Sequence, residues 1–134
     1  MNLEDIPLMS MIKSKLGYLN QRQKLIAENV ANADTPGYAG RDLKPFTFAQ
    51  HMQTQLAPVS QERTQAGHLA TPKATASPWK PIESPDSETR LDGNQVVLED
   101  EMMKMTSAKL DYDAAVGLYQ QSMSLLKMAI RRPG

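Results

Sequence analysis

The chain has 134 residues, with 15 Lys and Arg against 15 Asp and Glu, two histidines and no cysteine. This length allows one small domain, and the missing basic excess argues against a nucleic-acid binder or a polybasic membrane anchor. The missing cysteines exclude a disulfide framework and a thiolate metal site. No stretch approaches the ~20 apolar residues of a membrane span. Residues 1–5 lack the basic start of a cleavable secretory signal.

Proline placement separates two helical ends from a middle segment. Seven of the nine prolines lie between Pro36 and Pro85, and none lies in residues 8–35 or 86–132. Proline costs about 3 kcal/mol inside a helix, so long helices are confined to the two ends. We predict a mainly α fold in which two long terminal helices form an antiparallel, coiled-coil-like hairpin. The extended, Pro-rich middle leaves room for a short β-hairpin around residues 68–97.

The same boundaries divide the chain into three segments. Residues 1–38 hold the N-terminal helix and the turn after it, 39–95 form the extended middle, and 96–134 hold the C-terminal helix. Because an amphipathic helix must bury its apolar stripe against another element, we expect 1–38 and 96–134 to pack together as one helical core domain.

The N-terminal segment carries a heptad pattern, with spacings that alternate between three and four residues. This pattern predicts an amphipathic helix over about residues 5–32 that packs against another helix. Asp5 suits the N-cap, and Pro36 with Gly37 cannot continue the helix. The packing positions are Met9, Ile12, Leu16, Leu19, Gln23, Ile26 and Val30, of which Gln23 alone is polar.

The C-terminal segment repeats the pattern and predicts a second helix from about Val97 to Arg132. Acidic residues 99–101 in its first turn and basic residues in its last turn match the helix dipole. Its packing positions are Leu98, Met102, Met105, Lys109, Tyr112, Val116, Tyr119, Met123, Leu126 and Ile130, again with one polar member, Lys109.

Both helices carry more apolar surface than one partner helix can cover. Beside its packing positions, the N-terminal helix adds Leu25, Ala27 and Ala31. A leftover apolar stripe of this kind usually marks a protein interface, so we expect the chain to pack beside copies or relatives of itself. The predicted subunit-interface residues on the C-terminal helix are Met103, Leu110, Leu118, Leu125 and Met128.

Residues that could support catalysis or bind a metal ion are sparse. His51 and His68 lie 17 residues apart without an acidic cluster at ligand spacing. Asp111 and Asp113 are two positions apart on a helix and therefore point in different directions. Residues 99–101 are better explained as a helix-start charge run. We therefore expect no enzyme activity, cofactor, metal ion or small-molecule substrate.

The turn after the first helix, within residues 26–38, is the most specific part of the sequence. It resembles the signature of bacterial flagellar rod and hook proteins. Residues 39–46, 92–102, 110–115 and 126–131 are similar to further motifs of the proximal rod subunits within the flagellar basal-body rod family. The signature residues are Ala27, Asn29, Ala31, Asn32, Thr35, Pro36, Gly37 and Tyr38.

This resemblance implies a structural subunit of the proximal rod, the drive shaft of the flagellar basal body, which polymerises helically, transmits torque and is needed for motility. It implies a location in the periplasm, reached from the cytoplasm through the type III export gate without a cleaved signal peptide. The implied partners are copies of the chain, other rod subunits, the MS ring and the adaptor FliE between that ring and the rod. Phe48 and Met52 match the spacing of a candidate export-gate motif.

One alternative stays open from the sequence alone. Two amphipathic helices also suit a soluble coiled-coil binding module, such as a flagellar export chaperone or regulator.

Overall fold

The computed structural model describes residues 7–47, 49 and 79–131, and it is a helical hairpin. Helix α1 spans Pro7–Ala31 and helix α2 spans Leu98–Ile130, while strand β1 spans Arg41–Leu43 and strand β2 spans Pro81–Glu83. The predicted fold class is confirmed. Neither described helix combines the length and the hydropathy that a membrane crossing requires.

The helix ends follow from local chemistry. Pro7 occupies the first described turn of α1, where its missing N–H leaves no hydrogen bond unmade. Gly37, with φ of 70°, allows the chain to reverse after α1. The side chain of Val97 provides no cap for α2. The backbone N–H of Val97 instead donates to Asp86 Oδ2 at 2.8 Å.

The face that α2 turns toward the rest of the chain is a heptad stripe. Only Glu101 and Ala108 are fully buried on α2. The remaining positions of the stripe are half-buried, at Met105, Tyr112, Ala115, Tyr119, Ser122 and Leu126. Four of these positions coincide with the predicted stripe. Of the alternate predicted positions, Val116 and Met123 are half-buried, whereas Met102 and Lys109 are exposed and the residues before them are buried.

Five residues predicted to pack between the helices are exposed, so those assignments were wrong: Val30, Leu98, Met102, Lys109 and Ile130. Asn29 is buried between the helices where Val30 was expected. Glu101 is buried where Met102, which is 67% exposed, was expected. The reason is the buried hydrogen bond between Asn29 and Glu101. It places polar rather than apolar side chains between the two helices at this end of the hairpin. Ile130 lies in the last turn of α2, beyond Pro7 in the antiparallel register that this contact sets.

A second face of α1 is covered by the middle of the chain. Tyr18, Leu19 and Leu25 form a buried cluster with Leu43 of β1. Leu25, expected on the surplus apolar stripe, is therefore a core residue. The cluster is completed by partly buried side chains on either side of it: Phe46, Trp79, Tyr112 and Ala115.

The strand pair joins segments that are distant in sequence. β1 and β2 are antiparallel, with Asp42 opposite Ile82. The sequence left room for a short hairpin around residues 68–97, whereas β1 lies far earlier in the chain. The pairing places residues 39–47 and 79–83 against the same side of α1. In the described part of the chain, the middle segment thus shares the core of the helical hairpin.

Aromatic packing fixes this contact to the first half of α1. The ring centroids of Tyr18 and Phe46 lie 5.6 Å apart, and those of Tyr18 and Trp79 lie 6.1 Å apart. Lys15 Nζ lies 5.2 Å from the Phe46 ring centroid. A Cβ placed on Gly17 would stand 2.8 Å from Trp79 Cη2. Only glycine at position 17 therefore lets the indole approach the helix this closely.

Substitution of Gly17 tests this packing. In Gly17→Ala, we expect Trp79 to be displaced and the urea midpoint to fall, although alanine favours a helix by about 1 kcal/mol. Trp79 is the single tryptophan, so a red shift of its fluorescence would report the displacement.

The control is Gly117→Ala, because an added Cβ there meets no atom within 4 Å in the described chain. This variant should gain about 0.5–1 kcal/mol with unchanged fluorescence. Equal stabilisation of both variants would contradict the packing argument.

Candidate functional site

The signature residue Asn29 connects α1, the turn after it and α2. Its side chain is buried, and its Nδ2 donates to the Arg41 carbonyl at 2.8 Å and to Glu101 Oε2 at 3.1 Å. Its Oδ1 accepts from the Arg41 N–H at 3.0 Å and from the Tyr38 hydroxyl at 3.2 Å. Both donors and both acceptor positions are thus occupied, as a buried amide requires.

Glu101 brings a carboxylate into the buried contact between the helices, where Lys104 partly balances its charge. Glu101 Oε1 accepts from Lys104 Nζ at 2.8 Å. Lys104 Nζ also donates to Asp86, whose side chain is buried. Burial lowers the pKa of Lys104, but the hydrogen bonds and charges of Asp86 and Glu101 outweigh it, so the pKa lies above its ordinary value. The ammonium therefore stays charged between its two carboxylates.

A second buried amide, Asn94, holds the turn after α1. Asn94 Nδ2 donates to the carbonyls of Asn32 at 2.9 Å and Thr35 at 2.7 Å. Its Oδ1 accepts from the Val96 N–H at 2.9 Å. The same two carbonyls also accept the backbone N–H groups of Thr35 and Tyr38, so Asn94 reinforces the turn that follows α1. Asn94 thereby connects the signature turn to the segment that leads into α2.

An ion pair also links β1 to the middle of α1. Arg22 donates from Nε to Asp42 Oδ1 and from Nη2 to Asp42 Oδ2, each at 2.9 Å. The hydrogen bond with Asp42 raises the pKa of Arg22. This bidentate geometry fixes orientation as well as distance, so the strand cannot rotate on the helix.

The buried and half-buried polar side chains at this end of the hairpin are termed the polar junction: Asn29, Asn94, Glu101, Lys104 and Asp86. Their hydrogen bonds link α1, the turn after it, the segment before α2 and α2 itself. Among the described residues, no group of three His, Cys, Asp or Glu side chains could hold a metal ion. The arrangement is suited to setting the register of the two helices.

The structure separates the signature residues into two groups. Asn29, Asn32 and Tyr38 have side chains directed into the junction or along the helix end, with Asn32 Nδ2 donating to the Glu28 carbonyl at 2.8 Å. The other signature residues are exposed, and they are Ala27, Ala31, Thr35, Pro36 and Gly37. Ala27 and Ala31, predicted as part of the surplus apolar surface of the first helix, remain uncovered in the described chain.

The outer face of α2 is apolar and uncovered in the described chain. The predicted interface residues are all exposed there, and they are Met103, Leu110, Leu118, Leu125 and Met128. This set is termed the outer stripe. The candidate export-gate residues Phe48 and Met52, together with His51 and His68, lie outside the described residues.

Comparisons with known proteins agree with the signature. A family model described as "Flagella basal body rod protein" matches residues 18–38, the part of the chain that carries Asn29 and its turn. The chain is 31% identical over 100 residues to flagellar basal body rod protein FlgB of Salmonella typhimurium, covering 69% of this chain and 70% of that protein. It is 30% identical over 110 residues to FlgB of Cereibacter sphaeroides, covering 82% and 83% of the two chains.

The chain belongs to the FlgB family of flagellar basal body rod proteins. FlgB of Agrobacterium fabrum is 27% identical over 133 residues, which is 98% of both chains. The similarity to FlgB proteins therefore extends through the middle segment as well as the helices. The resemblance inferred from the signature is confirmed.

Sequence reasoning missed Glu101 and Asn94 as members of the junction of this FlgB family chain. Glu101 was interpreted as part of a helix-start charge run, and Asn94 as part of a turn. For Glu101 the available signal was a polar residue one position before the expected apolar contact Met102, whereas no such signal marked Asn94. Periodicity alone could not reveal partners that lie about 60–70 residues away in the sequence.

Substitution of Asn29 tests the junction. Asn29→Asp removes the Nδ2 donor to Glu101 and places a second carboxylate beside it. We expect a loss of about 3 kcal/mol in the free energy of unfolding, measured by urea denaturation.

The matched control is Asn20→Asp, which makes the same change at an exposed position on α1. It should alter stability by less than about 0.5 kcal/mol. Equal effects of the two variants would show that the junction contributes nothing specific.

Proposed function

We propose that the chain is a structural subunit of the proximal rod of the flagellar basal body, which polymerises helically and transmits torque. The observation that carries the proposal is the outer stripe on a chain of the FlgB family. Transfer of a Leu or Met side chain out of water contributes about 1.5–3 kcal/mol, so covering the outer stripe strongly favours assembly.

Two features of the hairpin suit a load-bearing subunit. The polar junction fixes the relative register of the helices, because a slip of one residue would leave Asn29 and Glu101 without partners in a buried site. The stripe extends along α2 from Met103 to Met128. A stiff pair of helices with one long apolar face can therefore bury that face against neighbouring subunits without changing its own fold.

The proposed partners follow from this assembly. They are further copies of the chain, other rod subunits, the adaptor FliE and the MS ring, with contact through the exposed apolar face of α2 and the signature turn. We place the assembled chain in the periplasmic part of the basal body, reached through the type III export gate. Phe48 and Met52 are the proposed recognition residues at the gate.

A structural role also accounts for the chemistry of the described residues. The buried carboxylates of Asp86 and Glu101 both pair with Lys104 and are therefore engaged in structural ion pairs. We propose that the chain has no enzymatic activity. No observation favours the alternative of an export chaperone or regulator.

A charge on the outer stripe tests the proposed function. Leu118 is 45% exposed, so Leu118→Asp should leave the hairpin folded while placing a carboxylate in the assembly contact. We expect the variant to be absent from purified basal bodies and the cells to be non-motile in soft agar.

Gln120→Asp provides the control, because residue 120 is exposed and lies off the stripe. It should assemble and support swimming. Full motility of a Leu118→Asp, Leu125→Asp double variant would refute the proposal.

A further inference from the structure

Leu91 is the most exposed apolar residue in the described chain, with a relative exposure of 111%. It lies at the tip of a turn formed by residues 90–93, termed the Leu91 turn. A leucine that makes no contact within its own chain loses the stabilisation that burial would provide. A single exposed leucine is ordinary, so its significance depends on how it is held and on what could receive it.

Backbone hydrogen bonds hold the Leu91 turn. The Gly93 N–H donates to the Arg90 carbonyl at 2.9 Å, and the Arg90 N–H donates to the Asn94 carbonyl at 2.8 Å. The Gly37 N–H donates to the Asp92 carbonyl at 3.0 Å, which joins the turn to the signature turn. The backbone that carries Leu91 is thus held in place, so docking its side chain would not require the main chain to be ordered first.

The outer face of α2 carries an open groove that is mainly apolar and therefore suited to the Leu91 side chain. Its lining is mainly apolar, with polar side chains on one edge, and consists of Met102, Met103, Thr106, Ser107, Leu110 and Asp111. Methionine side chains adapt readily to an incoming apolar group. The groove occupies the part of the outer stripe that lies closest to the polar junction.

Charge complementarity accompanies the apolar fit. Arg90, next to Leu91, is half-exposed and pairs with Asp34, whose side chain is 96% exposed. Such an exposed ion pair is worth little, so Arg90 can exchange partners at small cost. Asp111 lies in the groove and could accept that guanidinium once Leu91 has entered.

The structure points to a specific contact between copies: we propose that the Leu91 turn of one copy docks into the α2 groove of a second copy. Within one chain the turn projects from the end of the hairpin, whereas the groove lies on the flank of α2. Because the two surfaces differ, the contact is heterologous and can repeat from copy to copy as an open helical array. The inference rests on the proposed function and specifies one subunit contact within it.

Site-directed disulfide formation tests the contact directly, since the chain has no cysteine of its own. Cells would co-express a tagged Leu91→Cys chain and an untagged Leu110→Cys chain, and basal bodies would be purified and mildly oxidised. We expect a mixed disulfide between the two chains, at least about tenfold more abundant than with Lys127→Cys replacing Leu110→Cys. Residue 127 is also exposed, but it lies at the far end of α2.

The outcomes separate this inference from the proposed function. If both chains are present in basal bodies and the Leu110→Cys pair gives no more disulfide than the control pair, the docking contact is refuted while the rod assignment stands. Absence of the unmodified chain from basal bodies would refute the proposed function itself.

A second pair of variants covers the case in which the cysteine chains fail to assemble. Leu91→Asp should reduce incorporation into basal bodies at least about tenfold. Thr89→Asp, which adds the same charge just before the turn, should be incorporated normally. Equal incorporation of both variants would overturn the proposed contact.

Discussion

The contact between Asn29 and Glu101 is the constraint on which the rest of the structure depends. It joins residues 72 positions apart in the sequence. Because it is buried, breaking it would leave both side chains without a partner and would cost free energy of folding. The same asparagine holds the backbone of Arg41, which directs the chain from the signature turn into β1. One amide therefore orients both helices and the strand that covers them.

Fixing the junction also determines which surfaces remain free. Once Glu101 faces α1, Met103 and Leu110 must face away from it, because residues two and nine positions later lie on the other side of the helix. The second face of α1 is covered by Leu43 and its neighbours. The surplus apolar surface is consequently concentrated on α2, where a neighbouring subunit can reach it. A subunit with one covered helix and one exposed helix can be stacked repeatedly without refolding.

The sequence predicted the helical ends, the turn and the family, because proline placement, heptad spacing and the signature are local signals. It misplaced Met102 on the α2 stripe, since hydropathy favours Met102 over Glu101 when the partner of Glu101 is unknown. It placed Leu25 on a free surface because a three-residue strand such as β1 has no recognisable periodicity. The junction and the covering of α1 both depend on contacts across more than ten residues, which patterns along the chain do not encode.

A double-mutant cycle between Asn29 and Glu101 tests the central claim most directly. The free energies of unfolding of Asn29→Ala, Glu101→Ala and the double variant would be measured by urea denaturation beside the unchanged chain. The account predicts a coupling energy of about 1–3 kcal/mol, as expected for residues that share one buried network. Additive effects, with a coupling energy near zero, would contradict it, since the two side chains would then act independently of each other.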